Sequence, residues 1–74
     1  MGKYRLRISA RNQLAGTVVS VEQGSVMSTV TIRLNGGEEV VSAITKESAL
    51  SLGLSAGDSV VAIIKATEVI IGKE

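Results

Sequence analysis

Cysteine and histidine are both absent from this 74-residue chain. No disulfide can therefore form, and the thiolate and imidazole ligands of most zinc and copper sites are missing. The same absences remove the usual catalytic base and the usual thiolate nucleophile. Of the carboxylates that remain, the adjacent pair Glu38 and Glu39 would point to opposite faces of a strand. We therefore predict that the chain is not an enzyme and binds no bare metal cation.

Aromatic side chains are nearly absent as well, because Tyr4 is the only one. Proteins that bind single-stranded nucleic acid by stacking need several such side chains. The formal net charge of +1 is also too small for bulk capture of DNA or of an anionic membrane surface. These scarcities disfavour nucleic acid and membranes as partners.

Long apolar runs are missing too. The longest one, residues 60–64, is far shorter than the roughly 20 residues of a membrane-spanning helix. Near the N-terminus, Lys3 and Arg5 are followed by polar Ser9 and Arg11 and not by the apolar segment of a secretory signal. We therefore expect a cytoplasmic protein.

The chain is rich in aliphatic side chains, since hydrophobic residues make up 45% of it. A domain of this size buries only roughly 60% of its unfolded surface and usually needs a further source of stability. Adjacent aliphatic residues put one large apolar side chain on each face of a strand. Another copy of the chain would cover the outer faces, so we predict a homo-oligomer. The pairs are Val18 with Val19, Val40 with Val41, Val60 with Val61, Ile63 with Ile64, and Ile70 with Ile71.

Alternating apolar and polar residues predict short strands along the chain, interrupted once by a helical period. We predict an all-β domain with one short helix, an OB-like Greek-key barrel of five to six strands. No linker or repeat divides the sequence, so residues 1–74 are expected to form one domain. Residues 1–7 read as a basic N-terminal extension that forms an edge strand. The predicted strands cover residues 3–8, 13–22, 26–34, 38–44, 59–64 and 68–71.

One hairpin turn and both helix ends have recognisable signals. Asn35 followed by Gly36 predicts a type I′ turn, since both central positions of that turn need positive φ. Thr45 is predicted to cap the helix N-terminus, and Gly53 to adopt the left-handed conformation after its last residue. The helix is therefore expected over residues 45–52.

The most unusual stretch is a run of polar residues before the second predicted strand. Ser9, Asn12 and Gln13 are all hydrogen-bond formers. They surround Arg11, whose guanidinium stays protonated and offers several donors, while Ala10 would let the backbone approach a ligand closely. Such a set of donors suits an anion. The alternative is a surface arginine beside an ordinary loop hydroxyl.

Two further segments could supply anion donors. Lys65, followed by Ala66 and Thr67, comes at the end of an aliphatic strand. A buried Lys65 ammonium would need an anion or a carboxylate as its partner. The alternative is that Lys65 reaches solvent. Thr45 lies at the predicted helix start, where free N–H groups favour an anion, unless it is only an N-cap. Because a tetrahedral dianion needs donors from several directions, we expect a site between chain segments or between subunits.

Four sequence motifs follow one another along the chain. They are Ser9-Ala10-Arg11-Asn12-Gln13-Leu14 with Gly16-Thr17-Val18, then Ala43-Ile44-Thr45-Lys46-Glu47-Ser48, then Leu52-Gly53-Leu54 with Gly57 and Val60, then Ala62-Ile63-Ile64-Lys65-Ala66-Thr67 with Val69 and Ile70. In this order and spacing they resemble the molbindins, the molybdate-binding Mop family, over about residues 6–72. The same module is similar to the TOBE/Mop domain of the regulator ModE and of molybdate transporter ATPases. With neither a DNA-binding region nor an ATPase, the chain resembles the free-standing form, although the basic residues 1–7 depart from the family pattern.

The resemblance implies an oxyanion-binding barrel of Mop/TOBE type that assembles as a homohexamer, a trimer of dimers. Its ligand would be molybdate or tungstate, held between subunits as a bound anion and not as a catalytic cofactor. Lys65, Ala66 and Thr67 would come from a different subunit than the first motif. The implied oxyanion-binding residues are Ser9, Ala10, Arg11, Asn12, Thr45, Lys65, Ala66 and Thr67.

The sequence therefore predicts binding and storage of molybdate or tungstate for intracellular molybdenum homeostasis. The alternative is a small oligomerising barrel that serves as an interaction module, or a nucleic-acid binder that uses Lys3, Arg5 and Arg7. The two hypotheses differ in the partner, a small inorganic oxyanion in one and a macromolecule in the other.

Overall fold

The computed structural model describes residues 7–74. The predicted strand over residues 3–8, and the basic edge that it was expected to form, lie outside the described residues. The exceptions are Arg7 and Ile8, which belong to no strand.

The described chain forms four strands and one α-helix. They are β1 (Asn12–Gln23), β2 (Met27–Leu34), β3 (Glu39–Thr45), α1 (Lys46–Leu52) and β4 (Ser59–Ile64), followed by a 3-10 turn (Ala66–Glu68). The strands make one antiparallel sheet in the order β3-β2-β1-β4. β1, β2 and β3 are joined as hairpins, and β4 returns to pair with β1, which is the Greek-key order. The predicted class, mostly β with one short helix, is confirmed.

The core lies on the inner face of this sheet, where Val18, Val30 and Ile32 are at most 6% exposed. They share a face because alternate residues of a strand point the same way and β1 pairs in register with β2. Partly buried aliphatic side chains from all four strands, together with Leu54, pack around them. The buried set is small, which agrees with a domain near the lower size limit of independent stability.

β1 is the central strand, and Gly16 is paired with β2 and β4 at once. A Cβ atom at Gly16 would lie 2.7 Å from the carbonyl oxygen of Arg33 and 2.7 Å from Cγ2 of Ile32. Glycine therefore allows the close approach of the two strands at this point. Between Val18 and Ser20 the pairing register of β1 shifts, as in a β-bulge, which increases the local twist of the strand.

The β2–β3 hairpin differs from the prediction. Gly37 has a positive φ of 98°, whereas Asn35 and Gly36 do not, so the predicted type I′ turn was wrong. The amide of Gly37 donates to the carbonyl of Leu34 (2.9 Å), and the amide of Leu34 to the carbonyl of Glu38 (2.7 Å). These bonds close a three-residue loop that ends in a glycine bulge. A two-residue loop would have placed a glutamate, instead of a valine, opposite the buried isoleucine of β2.

α1 has the predicted ends. Thr45 caps its N-terminus, and Gly53 follows it in the left-handed conformation, with φ 63°. The amide of Gly53 donates to the carbonyl of Leu50 (3.0 Å). The amide of Leu54 donates to the carbonyl of Ala49 (3.2 Å), which completes a Schellman motif. Both predicted caps are therefore confirmed.

The predicted last strand over residues 68–71 was wrong for the single chain. In the 3-10 turn the amide of Glu68 donates to the carbonyl of Lys65 (2.8 Å), and residues 69–74 join no strand. A strand is defined by its ladder partner, and these residues have none in the described chain. β3 and β4 remain the two edges of the sheet.

Candidate functional site

The first polar run lies at the start of β1, where the chain bends before it enters the sheet. Ser9 and Arg11 are exposed, while Ala10 and Asn12 are half-buried. The side-chain Nε2 of Gln13 donates to the carbonyl of Ala10 (3.0 Å), which holds the bend against the strand. The amides of Ser9 and Ala10 donate to no group in the described chain. The bend therefore presents free N–H groups beside a guanidinium, an arrangement that suits an anion.

Gln13 is the positioning residue that sequence reasoning missed. The sequence pattern marks it only as one more hydrogen-bond former in the polar run. Its contact with Ala10 is local, spanning three residues, so its position three residues after Ala10 was the available signal. A side-chain amide near a bend commonly bonds a backbone carbonyl in this way.

Asn12 joins the first motif to the last one. Its Nδ2 donates to the carbonyl of Ile64 (3.1 Å), and the two residues are partners in the β1–β4 ladder. One residue beyond this pair, Arg11 and Lys65 flank the same end of the ladder. The first and last motifs are thus neighbours within one chain, and their joint use by one anion from different subunits stays a prediction of the resemblance.

The two cationic side chains at this end of the sheet, Arg11 and Lys65, have no partner among residues 7–74. Lys65 is exposed, so its ammonium reaches solvent at the strand end. Within residues 7–74 neither this ammonium nor the guanidinium of Arg11 has a hydrogen bond or an ion pair. Ala66 and Thr67 follow in the 3-10 turn and are also exposed. Two unpaired cations with hydroxyl and amide donors nearby form a surface to which an anion can bind.

Thr45 lies away from this group. Its Oγ1 accepts a hydrogen bond from the amide of Ser48 (3.1 Å) and donates one to the Ser48 hydroxyl (2.8 Å). In the ladder it is opposite Met27, at the other end of the sheet from Asn12 and Ile64. β1, which runs from one end to the other, has 12 residues and spans roughly 36 Å along the strand at about 3.3 Å per residue. One chain therefore does not bring Thr45 to the same anion as Arg11.

Other kinds of site have little support in residues 7–74. No three side chains of the types that ligate metals gather into a group there. No helix in the described part of the chain is both long and apolar enough to cross a membrane. Ser28 is the buried side chain without a hydrogen-bond partner among the described residues, but it lies on the inner face of β2 and belongs to the core.

Comparison with known proteins agrees with this architecture. Residues 8–71 match the TOBE domain family. The probable molybdenum-pterin-binding protein of Haemophilus influenzae is 46% identical over 69 residues, which cover 93% of this chain and 100% of that relative. The match therefore includes the polar bend, both hairpins, the helix and β4.

Two solved structures have the same fold. A molybdate-binding protein from Sporomusa ovata is similar with a TM-score of 0.86 and 41% identity, covering 92% of this chain and 100% of that chain. The cytoplasmic molybdate-binding protein ModG, solved with molybdate bound, is similar with a TM-score of 0.79 and 51% identity, covering 82% of this chain and 43% of that chain. The chain therefore belongs to the TOBE domain family, among the Mop proteins that its four sequence motifs indicated.

Proposed function

We propose that the chain binds molybdate or tungstate reversibly and serves as an intracellular store of the anion. The observation that carries this proposal is the β1–β4 register, which sets the polar bend and Lys65 at one exposed end of the sheet. The relatives named for binding molybdenum-pterin or molybdate support the choice of anion.

The chemistry of binding follows from the donors. Arg11 offers a planar guanidinium fork and Lys65 an ammonium, which together balance the charge of a tetrahedral dianion. Ser9 supplies a hydroxyl and the amide of Ala10 a short neutral donor. The protein neither makes nor breaks a bond to the anion in this scheme, so its role is binding and not catalysis. The proposed set is Ser9, Ala10, Arg11, Asn12, Thr45, Lys65, Ala66 and Thr67.

A second copy of the chain completes the proposed site. Thr45 can reach an anion held by Arg11 only from another subunit, because the two residues lie at opposite ends of their own sheet. Self-association would also cover Val41 and Ile63, large apolar side chains that point outward from β3 and β4 and are exposed in the lone chain. We propose the homohexamer, a trimer of dimers, as the assembly that satisfies both needs.

The proposed location is the cytoplasm, where molybdate would be stored for molybdenum homeostasis. ModG, a relative of the same fold, is described as cytoplasmic and as a molybdate-binding protein. The relatives named above give no support to the alternative of a nucleic-acid binder. Of the basic residues that it would use, Lys3 and Arg5 lie outside the described residues, and Arg7 is exposed.

Replacing Arg11 by alanine tests the site. Removing a hydrogen bond to a charged group is worth roughly 1.5–3 kcal/mol, so the affinity for molybdate should fall about 10- to 100-fold. Titration calorimetry measures the affinity, and the thermal midpoint of the variant shows that the fold is kept. Arg33→Ala is the matched control, because Arg33 is an exposed arginine that pairs with Glu39 (2.8 Å). An unchanged affinity of Arg11→Ala would remove Arg11 from the site.

A further inference from the structure

The chain contains two asparagines, and their surroundings differ. Asn12 is half-buried, and its Nδ2 donates to the carbonyl of Ile64 (3.1 Å). Asn35 is exposed in the β2–β3 loop, and its side-chain amide makes no hydrogen bond within residues 7–74. Gln13 follows the first asparagine and Gly36 follows the second. Of the two side-chain amides, the one of Asn35 is therefore free to react.

The backbone of Gly36 is open to the asparagine before it. Its amide donates to no group in the described chain, whereas the amide of Gly37 donates to the carbonyl of Leu34 (2.9 Å). Gly36 has no Cβ atom to hinder the approach of the Asn35 side chain, and a glycine backbone rotates more freely than that of other residues. A nucleophilic nitrogen and an amide carbon are thus neighbours on an exposed turn.

A carboxylate lies beside the same glycine. A Cβ atom added to Gly36 would lie 2.7 Å and 3.1 Å from the two carboxylate oxygens of Glu38. Within residues 7–74 this carboxylate has no ion pair, unlike that of Glu39, which pairs with Arg33 (2.8 Å). A proton acceptor must come within hydrogen-bond reach of the proton, directly or through one water. A small rotation of the exposed Glu38 side chain brings an oxygen to the Gly36 amide.

We propose that Asn35 is a site of spontaneous deamidation, in which the backbone nitrogen of Gly36 attacks Cγ of Asn35 while Glu38 accepts the proton of that nitrogen. The new N–Cγ bond closes a succinimide ring. The bond from Cγ to Nδ2 breaks, and Nδ2 takes up a proton and leaves as ammonia. Water then opens the ring at either carbonyl, which gives aspartate or isoaspartate. The net reaction consumes one water, releases one ammonia and needs no oxidant or reductant.

The products change the hairpin in charge and in length. Both products replace a neutral amide by a carboxylate close to Glu38, which removes the formal net charge of +1. Isoaspartate also inserts a carbon atom into the main chain of the loop. That loop is closed by the bond from Gly37 to Leu34 and by the bond from the Leu34 amide to the Glu38 carbonyl (2.7 Å). Because these bonds set the register of β2 with β3, the isoaspartyl form should unfold at a lower urea concentration than Asn35→Asp.

Ageing of the folded protein tests the proposal, and it requires no anion, so its outcome is separate from that of oxyanion binding. The natural chain is kept at neutral pH, and peptide mass spectrometry follows the replacement of NH₂ by OH at both asparagines, with an unaged sample as the baseline. We expect aspartyl and isoaspartyl peptides at Asn35. Conversion at Asn12 should be at least about tenfold slower, a difference of about 1.4 kcal/mol in activation free energy. No conversion at Asn35, or equal rates at the two positions, would overturn the proposal.

Gly36→Ala tests the nucleophile. Gly36 does not have a positive φ, and the added methyl group would meet only the flexible end of the Glu38 side chain, so the fold should be kept. The methyl group hinders the attack, and conversion of Asn35 should slow by about tenfold. The thermal midpoint shows that the variant is folded. An unchanged rate in the folded variant would contradict attack by the Gly36 nitrogen.

Glu38→Gln tests the proton acceptor, and Glu39→Gln is its matched control. Each variant removes one negative charge from the same hairpin, but the atoms nearest to an added Gly36 Cβ all belong to Glu38. A positioned proton acceptor contributes about 10²–10⁴-fold in an active site, and on an exposed loop we expect about tenfold from Glu38. The rate in Glu39→Gln should change by less than about twofold. Equal rates in the two variants would show a general effect of charge and would contradict the role of Glu38.

Discussion

In the proposed anion site, the residues that fix the backbone are distinct from the residues whose charged groups would bind the anion. Asn12 and Gln13 direct their side-chain amides to backbone carbonyls, at 3.1 Å and 3.0 Å. The charged groups of Arg11 and Lys65 have no partner within residues 7–74. Fixed neutral groups thus hold the bend in place, and the cations beside it remain available for a ligand.

A single glycine controls the close contact between β1 and β2. In Gly16→Ala the new methyl group would meet the backbone oxygen of Arg33 and the side chain of Ile32, each at 2.7 Å. Overpacking of this kind lowers the free energy of unfolding by about 1–3 kcal/mol, and urea denaturation measures it. Ala15→Ser, at the exposed neighbouring position, is the control and should change it by less than about 0.5 kcal/mol. Equal stability of Gly16→Ala and the natural protein would show that β1 and β2 can move apart.

Single candidate residues of the site could be named from the sequence, but their neighbours in space could not. Arg11 stands out as the one charge in a run of uncharged polar residues, and Lys65 stands out because it directly follows a run of aliphatic residues. That they flank one end of the same ladder depends on the pairing of β1 with β4, which joins Asn12 to Ile64 across the chain. Long-range register follows from packing of the whole sheet and has no local signal.

At the scale of elements, local chemistry predicts local structure. The ends of α1 were predicted correctly because a cap depends on a few adjacent residues, namely Thr45 at one end and Gly53 at the other. The β2–β3 loop was predicted wrongly because its length depends on which side chains lie opposite each other across the two strands. The residue with positive φ is therefore Gly37, and not Asn35 or Gly36. The strand over residues 68–71 was predicted wrongly because Ala66–Glu68 form a 3-10 turn and residues 69–74 have no ladder partner in the described chain.

The helix cap offers a test that separates stability from binding. Thr45→Val removes the oxygen that accepts from the amide of Ser48 and should lower the free energy of unfolding by about 1 kcal/mol. Thr45→Asp keeps a good cap and should leave stability within about 0.5 kcal/mol of the natural protein.

The same aspartate adds a negative charge. If Thr45 of a second copy faces the bound dianion, repulsion of about 1–4 kcal/mol at about 4 Å is expected, so affinity for molybdate should fall at least about fivefold. Chemical denaturation and calorimetry on the same sample measure both quantities. A stable Thr45→Asp variant that binds molybdate normally would place Thr45 outside the site.

At the scale of the whole molecule, a single chain is incomplete in two ways. The residues proposed to bind the anion lie at both ends of the sheet, and an open cleft separates β3 from β4. Two of the aliphatic pairs in the sequence do place a large apolar side chain outward, because Val41 and Ile63 are exposed, and the partner that would cover them stays a prediction. Both deficits would be removed by association with further copies of the same chain.

Native mass spectrometry with and without molybdate, with sulfate as the control anion, tests the central claim most directly. We expect a hexamer of this 7.7 kDa chain that gains discrete molybdate masses and gains none from sulfate. The number of added masses would report how many sites the assembly contains. A monomer that takes up no molybdate under conditions in which it is folded would contradict both the proposed site and the proposed assembly.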